Sequence, residues 1–140
     1  VASAHGHLVF ACGSSLYAVP SDTAAEVVNL PALTRVPGAP AHLLGVFAHR
    51  GEVLPVVDVA RLLGRGAEEA FRRAVLVRAP RGAVALTASK VLGVSALEGS
   101  LEPLGDAGVL QHLRGPARAP AGEVAVIDTA AFVDFLSQQG

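Results

Sequence analysis

Apolar residues in this chain come in short runs, each closed by glycine, proline or serine. The run 7–12 reads HLVFAC, and after Gly13-Ser14 the run 15–20 reads SLYAVP. Two such runs around a glycine-containing pair predict a β-hairpin. The next stretch, SDTAAE, is expected to form one helical turn capped by Ser21 or Asp22, with EVVNL (26–30) as a third strand. Pro31, Pro37 and Pro40 make the following segment irregular. LLGVFAHR (43–50) and EVLPVV (52–57) then predict a second hairpin across Arg50-Gly51. Pro55 has no N–H to donate, so it belongs at an edge or a bulge. Asp58 is placed to cap a short helix, VARLL, with Gly64 at its C′ position.

The stretch 64–73, GRGAEEAFRR, is the most polar and reads as a crossover between halves. After it the pattern restarts. AVLVRAP (74–80) and AVALTAS (83–89) flank Arg81-Gly82, and KVLGVSAL (90–97) is a third strand. Residues 98–122 are rich in Gly and Pro and are expected to be a long connection with a helical turn at 106–113. EVAVI (123–127) is the last strand, and Asp128 caps a final helix. Phe132, Phe135 and Leu136 share one face of that helix and must dock on something. The unit GEVLPVVDVARLLG (51–64) is echoed by GEVAVIDTAAFVDFL (122–136). Matching the two aligns Glu52 with Glu123 and leaves one extra residue near Pro55. The expected fold is mainly β, with two small barrels and a groove where they meet. Residues 1–140 form one domain. Its subdomains are built roughly from 15–64 and 74–128, with the terminal segments crossing over.

Composition narrows the function. Hydrophobic residues are 51% and charged residues 16%, yet no apolar run is long enough for a membrane span, so no direct membrane insertion is expected. The net charge of −1 disfavours nucleic acid, which needs a basic surface. One cysteine, Cys12, excludes an internal disulfide and reads as a small buried hydrophobe in a reducing compartment. The start, VASAHGH, shows no secretory pattern, which fits a cytoplasmic location. No serine lies in G-x-S-x-G, and no nucleotide-binding or metal-site motif occurs. His5 and His7 read as a solvated terminus. Glu52 and Glu123 read as turn residues. No catalytic residue, cofactor or metal is expected. What remains is Arg50, a rigid guanidinium at a hairpin turn, suited to tethering a loop or contacting a partner.

The stretch TRVPGAPAHLLGVFAHRGEVLPVVDVARLLG (34–64) resembles the signature of the CheW-like domain, the chemotaxis coupling protein family. The matching residues are Thr34, Pro37, Pro40, Gly45, Val46, Arg50, Gly51, Pro55, Val56, Val57 and Asp58. KVLGV (90–94) is similar to the family's RVLGV, and the first hairpin with Glu26 also fits. The family's N-L-R-G is here Ala48-His49-Arg50-Gly51, and Ser89 stands where an acid is common. The resemblance covers roughly residues 7–137. It implies two SH3-like five-stranded β-barrels sharing a hydrophobic core, with a few short helices. It also implies a non-catalytic adaptor, bridging the cytoplasmic tip of a methyl-accepting receptor to the regulatory domain of a CheA-type histidine kinase. Such a protein is cytoplasmic and recruited to receptor clusters. By matching position, Ala24, Glu26, Gly45, Arg50, Gly51 and Val91 are the partner-binding residues it implies. The changes at Ala48, His49 and Ser89 leave a second reading, a divergent paralogue that binds only the receptor or only the kinase and does not bridge.

Overall fold

The computed structural model describes residues 6–63 and 73–137; His5, Gly64 and the stretch 64–72 read as a crossover lie outside them. Eleven strands and two helices follow in order. They are β1 (His7–Cys12), β2 (Ser15–Pro20), β3 (Ala24–Asn29), β4 (Leu43–His49), β5 (Glu52–Val57), α1 (Val59–Leu62), β6 (Arg73–Ala79), β7 (Gly82–Ala88), β8 (Lys90–Ser95), β9 (Glu98–Pro103), β10 (Leu113–Ala119), β11 (Gly122–Ile127) and α2 (Thr129–Ser137). One sheet runs β8-β1-β2-β11-β10-β9 and the other β3-β6-β7-β5-β4. Each curls into a small barrel. The N-terminal hairpin therefore sits in the sheet of the C-terminal strands.

Alternation along the strands builds three cores. Val75 and Val77 of β6 and Phe10 and Cys12 of β1 face a large shared core between the barrels, joined there by Phe132 of α2. The intervening residues point into the barrels: Val9 into one, Ala74 and Leu76 into the other. Strands buried on both faces need apolar residues at every position, which is why these runs are continuous. His7 departs from the expectation of a solvated terminus. It is 5% exposed, within β1, because that strand begins inside the sheet.

The two hairpins that carry the repeat have the same length. Leu43 pairs with Val57 and His49 with Glu52; Leu113 pairs with Ile127 and Ala119 with Gly122. Each hairpin has a register shift in its first strand and a two-residue turn, Arg50-Gly51 or Pro120-Ala121. The offset is 70 throughout, from 43 to 113, 49 to 119 and 52 to 122. Even the closing bonds match: Asp58 N donates to His42 O at 2.9 Å and Asp128 N to His112 O at 3.0 Å. Glu52 is thus the counterpart of Gly122, not of Glu123, and no extra residue lies near Pro55. The shared letters GEV are out of register by one.

The other strands obey the same pseudo-twofold, apart from β9, which extends the six-stranded sheet beyond β10. β5 runs parallel to β7 with Val56 opposite Ala85, and β11 runs parallel to β2 with Val126 opposite Ala18. The β6–β7 hairpin matches β1–β2, and β3 matches β8. Pro55 is accommodated by hydrogen-bond phase. Its partner Val46 exchanges both backbone bonds with Thr34, so Pro55 N faces away from β4. On that other side the ladder to β7 pairs only Val56 and Val57.

Two segments differ from expectation. Residues 21–23 form a turn rather than a helix, because the chain here crosses from one sheet to the other. Thr23 N and Oγ1 both donate to Pro20 O, and Thr23 O accepts from Arg78 N. The stretch 98–122 contains β9 and β10 besides a 3-10 turn at Gly108–His112. β10 does alternate, with Leu113, Gly115, Ala117 and Ala119 inward and Arg118 outward. Beyond Leu113 its inward residues are small and Pro116 interrupts it, so pairing with neighbours, not propensity, makes it a strand.

Candidate functional site

Arg50 and Gly51 form the tip of the β4–β5 hairpin, with φ of 51° and 83°. Two successive left-handed residues make a type I′ turn, whose twist suits a two-residue hairpin. A non-glycine residue is uncommon there, so the position of Arg50 is fixed at some backbone cost. Its guanidinium is 76% exposed, and Nη1 lies 3.1 Å from Glu26 Oε1. His49 Nε2 lies 3.0 Å from the same oxygen. Glu26 is on β3 and His49 on β4, the two outer strands of the five-stranded sheet. The side chains therefore close the barrel where no backbone ladder does. Beside them Arg78 of β6 grips Glu52 of β5 at 2.6 and 3.3 Å. The His49 hydrogen bond, with the Arg50 charge, holds the Glu26 carboxyl below the usual carboxylate range. The Arg78 fork does the same for Glu52.

The pseudo-twofold shows what is special about this end. At the matching positions the other barrel has Gly93 for Glu26, Ala119 for His49, Pro120 for Arg50, Gly122 for Glu52 and Ala11 for Arg78. The twin barrel adds the strand β9 beside β10, where the charged barrel has only the Thr34–Val46 bridge beside β4, so the side-chain network is particular to the barrel with the shorter sheet.

The remaining implied residues sit elsewhere. Ala24 pairs with Val77, and Val91 with Phe10, the counterpart of Val77. Ala24 and Val91 are thus twofold mates, both half-buried against the shared core. Gly45 is held by packing. A Cβ there would meet Thr34 O at 2.7 Å and Leu33 Cβ at 3.0 Å. It lets the segment after β3 bridge to Val46 of β4. So the structure gathers Glu26, Arg50 and Gly51 at one barrel end, and places Ala24 and Val91 symmetrically beside the core. His49, Glu52 and Arg78 complete the charged end. Nothing in the sequence links Glu26 to His49, because their meeting depends on the sheet curling.

A buried polar node joins the barrels. Asp58 Oδ1 accepts from Ala60 N at 3.0 Å and Arg61 N at 3.3 Å, capping α1. The Cys12 thiol of β1 donates to it at 3.5 Å and lies 3.6 Å from Thr87 Oγ1 of β7. Burial pushes the Cys12 thiol pKa up, opposite to what a nucleophile needs. Among the described residues no three His, Cys, Asp or Glu side chains gather as metal ligands. No helix among them is long and apolar enough to cross a membrane.

The family model of the CheW-like domain matches residues 6–134. The chain belongs to the CheW-like domain family. Among its relatives, FrzA of Myxococcus xanthus is 33% identical over 122 residues, covering 84% of this chain and 76% of that protein. Chemotaxis protein CheW of Rhizobium meliloti is 34% identical over 87 residues, covering 62% and 52%. The crystal structure of scaffolding protein TtCheW from Thermoanaerobacter tengcongensis superposes with a TM-score of 0.77 at 20% identity, covering 91% of each chain. That likeness establishes the fold of this CheW-like domain, a pair of SH3-like barrels. Family membership makes it a chemotaxis scaffold or adaptor domain.

Proposed function

We propose that this CheW-like chain is a non-catalytic adaptor coupling a methyl-accepting receptor to a CheA-type histidine kinase. The observation that carries the reading is the one-sided charge cluster. Beside Gly51, Glu26 and Arg50 form a side-chain network with His49, Glu52 and Arg78 at one barrel end. The positions matching those five charged or polar side chains in the other barrel are Gly, Ala or Pro, and its charges, Arg118, Glu123 and Glu98, lie on neighbouring positions. Exposed charges held in a fixed arrangement are suited to setting the register of a protein partner. Ala24 and Val91 supply apolar contact area beside the shared core, as a docked receptor helix needs. Gly45 serves indirectly, by keeping the Thr34 segment on β4. The adaptor works in the cytoplasm, recruited to receptor clusters.

The substitution of His49 into the family's N-L-R-G motif favours the narrower alternative, a paralogue that keeps one partner. One experiment separates the readings. The purified chain is titrated with a receptor cytoplasmic fragment and with a kinase regulatory domain from the same genome. Dissociation constants below about 50 µM for both support bridging. Binding to one alone selects the paralogue, and binding to neither refutes both. Arg50→Glu is expected to weaken binding to one partner while leaving the protein folded.

A further inference from the structure

We propose that His49 is a positioning residue, which pins Glu26 Oε1 and through it fixes the Arg50 guanidinium over the gap between β3 and β4. The inference deepens the adaptor reading, and its partner arm rests on that reading.

Glu26 alone is a poor anchor. Its side chain has several free torsions and spans an opening between two strands that share no ladder. His49 is a better one. It has two torsions, its ring is 19% exposed, and it packs against Phe47 at a centroid distance of 6.0 Å. Its Nε2 meets Glu26 Oε1 at 3.0 Å, so this nitrogen carries the hydrogen when the carboxylate is ionised. Arg50 Nη1 reaches the same oxygen from the turn. A leucine at position 49 leaves the carboxylate to Arg50 alone, a mostly solvated pair that holds its geometry weakly. The histidine converts that loose pair into a three-membered clasp whose rigid member is half-buried.

The clasp has a chemical signature. A protonated His49 ring carries a full positive charge beside Glu26 Oε1 and competes with Arg50 for that oxygen. The charged groups around the ring are Glu26 on β3, Arg50 on the turn, Glu52 on β5 and Arg78 on β6. The Arg50 guanidinium therefore responds to the state of His49, relayed by Glu26.

The deciding test uses the free protein. The His49 ring and Arg50 Nε–H resonances are followed by NMR against pH. The two are expected to move with one midpoint, and Glu26→Gln is expected to uncouple them. An Arg50 signal that ignores the His49 titration, or follows it equally in Glu26→Gln, overturns the proposal. A second arm compares variants on whichever partner binds. His49→Leu is expected to weaken binding about two- to five-fold, and His49→Gln, whose amide replaces Nε2–H, to restore it. Equal loss in both variants counts against a positioning role. Absence of any partner binding refutes the adaptor reading and leaves the NMR result to decide on the clasp.

Discussion

Asp58 and Asp128 occupy the same place in the two repeats, yet alanine at the two positions is expected to cost very different amounts. Asp58 is fully buried. Its Oδ1 serves two backbone N–H groups of α1 and the Cys12 thiol, and its Oδ2 faces Arg61 Nε at 3.5 Å. Losing the cap costs about 1 kcal/mol. Leaving donors buried without an acceptor adds about 1–3 kcal/mol. Arg61 is partly exposed and turns to water, so no charge is stranded. The total is about 2–4 kcal/mol. Asp128 caps more weakly, with Ala131 N at 3.5 Å, and pairs with Arg114 at a site about one-third exposed. Water replaces both contacts, so Asp128→Ala costs about 1 kcal/mol or less. Guanidinium denaturation of both variants at one pH measures the difference, provided the slopes agree. In melting temperature the gap is about 3–10 °C. Should Asp58→Ala fail to fold, Asp58→Asn keeps the Oδ1 acceptor and is expected to lose about half as much. Equal costs for the two alanine variants refute the claim that burial of the cap, not its place in the repeat, sets its worth.

Three further outcomes are expected. Gly45→Ala forces a methyl onto the Thr34 carbonyl, so it loses about 1–3 kcal/mol and the Thr34 amide loses hydrogen-exchange protection; an unchanged, protected Thr34 contradicts this. Cys12 in the native protein reacts with a thiol reagent at pH 8 only as fast as the chain opens, since burial raises its pKa; prompt labelling of folded protein speaks against its burial. The folded-state pKa of Glu26 is lowered from 4.5, so its share of stability is present above that value and is lost as pH falls through the lower folded one. Wild type therefore loses more stability than Glu26→Gln between pH 5 and pH 2, measured by urea melts; parallel acid limbs sink the argument.

The strands buried on both faces were legible because their letters carry the information. HLVFAC, AVLVRAP and AVALTAS leave little alternative to core strands, and Asp58 announced its helix. The SH3-like barrels and the family followed from the motif at 34–64. β9 and β10 were not legible. LRGPARA places Gly and Ala inward, where a neighbouring strand supplies the bulk, and a reading of local propensity sees only loop residues. The register of the repeat was misread for a related reason. Identical letters at 51–53 and 122–124 outweighed a shift that only strand pairing reveals. For the site, Glu26, Arg50 and Gly51 came through the motif, but His49 stood out only as a departure from it. Its bond to Glu26 crosses the barrel opening, and no spacing along the chain encodes that.

The internal duplication also supplies a control that a single barrel lacks. Both barrels place an inward-facing set of the same kind on matching strands: Val9, Ala18, Ala117, Val124 and Val126 in one, Leu76, Ala85, Phe47, Leu54 and Val56 in the other. Packing needs are thus met in the same way twice, and residues that differ between the copies answer to something besides the core. At the hairpin tip the difference is complete. Pro120-Ala121 carries no charge, whereas Arg50 keeps a left-handed backbone that glycine would adopt at less cost. A strained arginine retained at an exposed turn, tied to a carboxylate by its neighbour, stabilises no core. Under the adaptor function we propose, its role is contact with a partner, and the surface of this barrel rather than its twin is expected to set partner choice.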